Sequence, residues 1–253
     1  MKKILFLALT VLFAQTTLAS GLWFGADTAS YEKNEFCNYD LKVPVIKARG
    51  EGEVPVGILK LNLEWQQDMT AAISDFNKNT NVSDEPEMCK SFGYGYQVSY
   101  DFNIKTSLAS PVTSIEMNYY WYTGGAHGNS GSAAVTFVTA TGEKVTSLAD
   151  FLNESGLADF KTLVEERLLA QEVDPTFGWN GVKEQWSSMK DIKNFHIGLK
   201  GQVVISFDPY EVGPYAQGPV SVEVYPWQLT DKVGYNNSEV SKLIQTIGGV
   251  SAE

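Results

Sequence analysis

Ser114-Ile115-Glu116-Met117-Asn118-Tyr119-Tyr120-Trp121-Tyr122-Thr123-Gly124-Gly125-Ala126-His127-Gly128 is the most informative run in this 253-residue chain. Its first nine residues alternate. Ile115, Met117, Tyr119 and Trp121 fall on one face, and Glu116, Asn118, Tyr120 and Tyr122 on the other, the two-residue period of a strand. Aromatic side chains suit a pleated, half-buried surface. On this reading Tyr119 and Trp121 belong to the sheet core. The strand runs into a glycine-rich loop, 124–131, after which Ala133, Val135 and Phe137 restart the alternation.

Upstream, Tyr94, Tyr96, Val98, Tyr100 and Phe102 form a second aromatic alternation, and Leu41 to Lys47 a third strand. Between them Trp65, Met69, Ile73 and Phe76 recur at helical spacing, which predicts a helix over most of 60–79. Residues 21–40 show no clear period and read as an irregular arm. Downstream, Ser147 and Asp150 fit a capping box opening a short helix. Leu157, Phe160, Val164 and Leu168 carry a longer helix over 156–171. A loop region at 174–191 contains Trp179 and Trp186. Strands follow at 193–199 and 201–207, joined by Lys200-Gly201. A last strand turns Val220, Val222 and Val224 inward. One helix, 239–247, is expected in an otherwise loose tail. The predicted class is α+β: two small mixed units, antiparallel sheets packed against a few helices. The expected divisions are a signal peptide at 1–19, an N-terminal domain at 20–107, a C-terminal domain at 108–230 and the tail at 231–253.

Apolar residues make up 43% and charged residues 19%, enough apolar surface for a packed core and too little charge for a disordered chain. Lys plus Arg number 19 against 30 Asp plus Glu, a net charge of −11. That balance argues against nucleic acid and against a polybasic membrane surface, and it suits a cationic partner. Met1-Lys2-Lys3 followed by the apolar Ile4 to Ala14 and Thr17-Leu18-Ala19 has the anatomy of a secretory signal peptide cleaved after Ala19. Loss of Lys2 and Lys3 leaves 17 basic residues against 30 acidic, or −13. The expected product is periplasmic or secreted, with no membrane insertion after cleavage. Export makes Cys37 and Cys89 an expected disulfide, with two separate buried thiols as the alternative.

Two segments could carry chemistry. One is Tyr119 to Gly128; the other is Asp208-Pro209-Tyr210-Glu211-Val212-Gly213-Pro214-Tyr215-Ala216-Gln217-Gly218. Each follows a strand and is dense in Gly and Tyr, the second in Pro as well, and loops held by a sheet commonly bind. His127, Ser130 and Asp208 could make a nucleophile–base–orienter set, but no G-x-S-x-G elbow presents the serine, and His127 more simply fixes its own turn. Glu116 and Glu211 are the best-placed carboxylates for glycoside chemistry, with a solvated face as the plainer reading. His127 and His196 lack metal-ligand spacing, so no metal and no cofactor is expected. Tyr122, Tyr210 and Tyr215, at loop edges, supply contact area with few rotatable bonds and a polar tip.

The two segments together resemble the extracytoplasmic domain of RsiV-like proteins, and the stretch from Val43-Pro44-Val45-Ile46 to Ser107-Leu108 is similar to the domain usually found upstream of it. The resemblance spans about residues 40–228. The family includes lysozyme-sensing anti-sigma factors, and the same domain accompanies some peptidoglycan deacetylases. It implies an α+β fold and binding of a lysozyme-type muramidase. No anti-sigma, transmembrane or deacetylase part is recognisable here. The resemblance therefore implies a non-catalytic binding module for a cationic lysozyme-like protein or for peptidoglycan. Its site residues would be Tyr122, His127, Ser130, Tyr210, Glu211, Pro214 and Tyr215. The alternative is a cell-wall hydrolase or esterase using the His127 loop. Segments 123–131 and 208–218 are expected on one side of the C-terminal domain.

Overall fold

The structure is a computed structural model that describes residues 21–80, 89, 95–170, 186, 192, 194–229 and 234–249. The signal peptide, Tyr94 and Trp179 lie outside the described residues. The fold is α+β, with a six-stranded sheet whose strands neighbour one another in chain order and a three-stranded sheet ordered likewise. The chain divides into two units. The first takes the described residues up to Asn103 with Met117–Gly131; the second takes Ile104–Glu116 and Ser132 onward. The boundaries between the units fall inside two strands, β4 (Val112–Tyr122) and β5 (Asn129–Val138), each contributing residues to both.

In the first unit the expected irregular arm is instead a long hairpin. β1 (Leu22–Asn34) and β2 (Cys37–Ala48) pair antiparallel from Leu22↔Ala48 to Asn34↔Cys37. The Asn34 side-chain oxygen closes the turn, accepting from the backbone N–H of Phe36 at 2.9 Å and of Cys37 at 3.0 Å. The sequence hides β1 because its burial drifts along its length. Leu22, Phe24 and Ala26 are buried, whereas Ser30 to Lys33 face solvent, so no single alternation spans it. Helix α1 (Val56–Thr80) returns the chain so that β3 (Tyr96–Ile104) runs parallel to β2, Cys37↔Tyr96 to Leu41↔Tyr100. This pair departs from the antiparallel expectation because a 25-residue helix, not a tight turn, joins the neighbourhood of its strands. Beyond Leu41, the Asn62 amide accepts from Ile46 N–H at 2.9 Å and donates to Ile46 carbonyl at 2.8 Å, so α1 satisfies β2 there. Phe76, fully buried, meets the rings of Tyr31, Tyr39 and Tyr96 edge-on at 5.9, 5.0 and 5.8 Å. Beside it Cys37 and Cys89 form the expected disulfide, Cα–Cα 5.6 Å.

The second unit is built on β7 (Phe195–Ile197), β8 (Val203–Phe207) and β9 (Val220–Val224), all antiparallel. Gly201, at φ +74°, makes the β7–β8 turn. Val220, Val222 and Val224 alternate inward as expected. Helix α2 (Glu154–Ala170) buries Phe160, Val164 and Leu168 against this core, and Trp186 joins it. The capping box at Ser147 is present; Asp150 accepts from Ser147 N–H at 3.0 Å, opening a 3-10 turn at Leu148–Asp150. The short strand β6 (Lys144–Val145) pairs with β5. After a short helix α3 (Pro226–Leu229), residues 234–249 are packed, not loose. Tyr235 bridges Leu152, and Gly234 lies so close to Gly156 that a β-carbon on α2 at that point would collide with its carbonyl. Ser238 caps α4 (Glu239–Ile247), whose Ile244 is fully buried.

Candidate functional site

Asp208 leaves β8 and is fixed at once. Its Oδ1 accepts from the Ser132 N–H at 2.9 Å, with the Ser132 hydroxyl at 3.4 Å. Asp208-Pro209-Tyr210-Glu211 then makes a tight turn, Glu211 N–H donating to the Asp208 carbonyl at 3.0 Å. Proline at the second position is ordinary for such a turn. Tyr210 at the third is not, because it sits at φ +75°, where glycine or asparagine is usual. Glu211 reaches back to accept the Asp208 N–H at 2.6 Å. Desolvation of this carboxyl and the nearby Asp208 charge push its pKa up, against the lowering effect of that hydrogen bond. Val212, 1% exposed, anchors the loop in the core. Pro214 leads a 3-10 turn over Tyr215–Gln217, and the Tyr210 and Tyr215 rings stand 5.6 Å apart. Tyr210 is 54% exposed. The loop thus holds an outward Tyr210 beside a half-buried Tyr215 on a braced backbone.

Of the residues singled out from sequence, Tyr210, Glu211, Pro214 and Tyr215 come together in this loop of the second unit. Tyr122, His127 and Ser130 belong to the first unit. There the Tyr122 hydroxyl donates to the Gly125 carbonyl at 2.8 Å. The His127 Nδ1 lies 2.9 Å from the Gly128 carbonyl. A carbonyl only accepts, so this nitrogen carries the proton and the ring fixes its own turn. Asp208 is engaged by Ser132 as described. Glu116 has a lysine as its ionic partner, Lys105 Nζ at 2.7 Å, and accepts from the Ser206 hydroxyl at 3.2 Å. His196 Nδ1 stands 3.9 Å from the same carboxylate. Ser206 donates to glutamate here, which is a structural bond and not the nucleophile-to-histidine bond of a triad. Among the described residues no group of three or more His, Cys, Asp or Glu could hold a metal ion.

Sequence reasoning missed a cavity of about 270 Å³ in the first unit, walled by Tyr96, Tyr100, Tyr119 and Trp121, with Ala72 and Asp75 of α1 opposite. Trp121 corrects the expectation of a core residue: it is 41% exposed. Its strand row is buried at Ile115 and Met117, but α1 faces Trp121 with a small side chain and an exposed carboxylate, so a gap replaces packing. The signal available was the shared face of Tyr96 and Tyr100 together with the i, i+3 spacing of Ala72 and Asp75. We expect Trp121→Ala to change folding free energy by no more than about 1 kcal/mol. Phe76→Ala should cost about 3–5 kcal/mol. Urea midpoints of the two variants check this.

Residues 30–130 match the family model described as Deacetylase PdaC, and residues 149–227 match that described as Protein of unknown function (DUF3298). A PdaC-type region is followed here by a DUF3298-type region. Solved structures share the fold, two of them described as DUF3298 proteins. A DUF3298 family member from Bacteroides fragilis superposes with TM-score 0.57 at 16% identity, covering 92% of this chain and 100% of that one. A DUF3298 family protein from Pseudomonas aeruginosa gives TM-score 0.56 at 16% identity, covering 85% and 95%. No curated protein matches the chain. The braced Tyr210 loop lies in the DUF3298-type region, and the aromatic cavity is lined from the PdaC-type region. Among the described residues no helix is long and apolar enough to cross a membrane.

Proposed function

We propose that this is an exported, non-catalytic binding protein whose partner is a lysozyme-type muramidase, engaged through the Tyr210–Tyr215 loop. The single observation carrying the reading is Tyr210 at positive φ. A bulky side chain in that conformation costs about 1–2 kcal/mol, so a glycine would serve the turn better. An exposed tyrosine held there at a cost is kept for what it touches. Aromatic anchors of this kind dominate interface energies, often with about 2 kcal/mol or more lost on truncation. The resemblance to RsiV-like proteins supplies the partner class. The net charge of −11 favours encounter with a cationic protein.

The test separates folding from binding. Tyr210→Gly relieves the turn, so folding free energy should hold or rise by about 1 kcal/mol. The same variant, and Tyr215→Ala, should weaken muramidase binding by about thirtyfold in calorimetry. Added salt should slow association more than it speeds dissociation. Absence of binding to several lysozyme types at about 100 μM, a level that still reveals a free energy near −5 to −6 kcal/mol, overturns the muramidase reading.

A further inference from the structure

The aromatic cavity of the first unit has a chemistry of its own. Its volume of about 270 Å³ is many times what a single water needs. Tyr96 and Tyr100 reach it from β3, and Tyr119 and Trp121 from β4. The Tyr100 and Tyr119 rings meet edge to face, 4.9 Å apart at 88°, so they hold one another at fixed angles. The faces of such rings are negative. Opposite them, Asp68, Ala72 and Asp75 fall at i, i+4 and i+7 on α1, one helical face. Ala72 leaves the space, and Asp75 lines it with an exposed carboxylate. Among the described residues no ion pair engages that carboxylate, although Lys78 lies one turn further along the exposed helix surface.

The field inside is negative as well as apolar. Desolvation, then the charges of Asp68 and Asp75, raise the Tyr100 phenol; desolvation, Asp68 and Tyr100 push Tyr119 up to about 12. An anion is therefore disfavoured. A neutral sugar could stack but would gain nothing from the carboxylates. A cation gains from both the ring faces and the acidic helix row.

We propose that this cavity is a binding site for a guanidinium group, as carried by an arginine side chain. Guanidinium is planar, stacks on aromatic faces, pairs with a carboxylate through two parallel hydrogen bonds, and sheds water more readily than an ammonium. The cavity offers aromatic side chains in its walls and one carboxylate at its edge. This site is independent of the Tyr210 loop and of the muramidase reading, since each is lined within a different unit.

The experiment uses small probes on the full chain. N-acetyl-arginine methylamide, its uncharged citrulline counterpart, free arginine and N-acetylglucosamine are titrated while amide and indole NMR signals are followed. The Trp121 indole is assigned with Trp121→Phe. The arginine amide should bind with a millimolar-order Kd and move the Trp121 signal. The citrulline probe should bind about tenfold more weakly, and Asp75→Asn should cost a similar factor. Because Asp75 is exposed, that variant should keep its fold, which the unshifted remainder of the spectrum verifies. An arginine amide that outbinds free arginine points to a polypeptide source, and the reverse to a free small molecule; either supports the guanidinium site. Equal binding of the citrulline probe, no effect of Asp75→Asn, or N-acetylglucosamine binding as tightly as the arginine amide overturns it.

Discussion

Reducing the Cys37–Cys89 bond lowers folding stability by about 4 kcal/mol. The two cysteines are 52 residues apart, and opening a loop of that length returns about that much chain entropy to the unfolded state. The native state gains nothing to offset it. Cys37 is fully buried and Cys89 is 5% exposed, in one cluster with Tyr39, Leu41, Ala72, Phe76 and Val98. Asn34 ties both ends of the bridge to the hairpin turn, donating to the Cys89 carbonyl at 2.8 Å while accepting from Cys37 N–H. Against a typical total of about 5–15 kcal/mol, the loss is large. Urea unfolding with and without a phosphine reductant measures it. A difference below about 1 kcal/mol would show that packing alone secures this corner.

How much of this was legible depends on how local the information was. β8, β9, α2 and α4 announce themselves because each turns one row of apolar residues inward along its whole length. Val220, Val222 and Val224 are the plainest case. Ser147 marks a start because capping is a property of a few adjacent residues. β1 was illegible because it is buried from Phe24 to Ala26 and exposed from Ser30 to Lys33, so no single alternation runs its length. The Asp208–Gly218 loop was visible through its Gly, Pro and Tyr content, but the positive φ of Tyr210 was not, since tyrosine is an improbable occupant of that turn position. The cavity required Ala72 and Asp75 to face Tyr100 and Trp121, a tertiary register that neither element encodes alone. Trp121 was misplaced for the same reason: alternation reports which side a residue faces, and says nothing of whether that side is filled.

The same non-local logic sets the pH at which the second unit weakens. His196 on β7 is 6% exposed, beside Lys105, Glu116 and Glu223. Desolvation and the Lys105 charge lower its pKa to about 4, outweighing the opposing pull of Glu116 and Glu223. Its free value is about 6.5. The folded state therefore binds fewer protons than the unfolded state between those values, and stability falls as pH drops. The contribution is complete above about pH 6.5 and gone below about pH 4. Between pH 7 and pH 5 the loss from this one ring is about 2 kcal/mol. His196→Gln should flatten that part of the pH–stability curve, as measured by urea unfolding at intervals across the range. In the parent protein the His196 ring proton resonances should keep their neutral-imidazole positions down to pH 5. A protonation shift near pH 6.5, or parallel stability curves for parent and variant, would refute the buried neutral imidazole. The neutral ring then stands on β7 beside Glu116 of β4, whose carboxylate is taken by Lys105 and by Ser206 of β8.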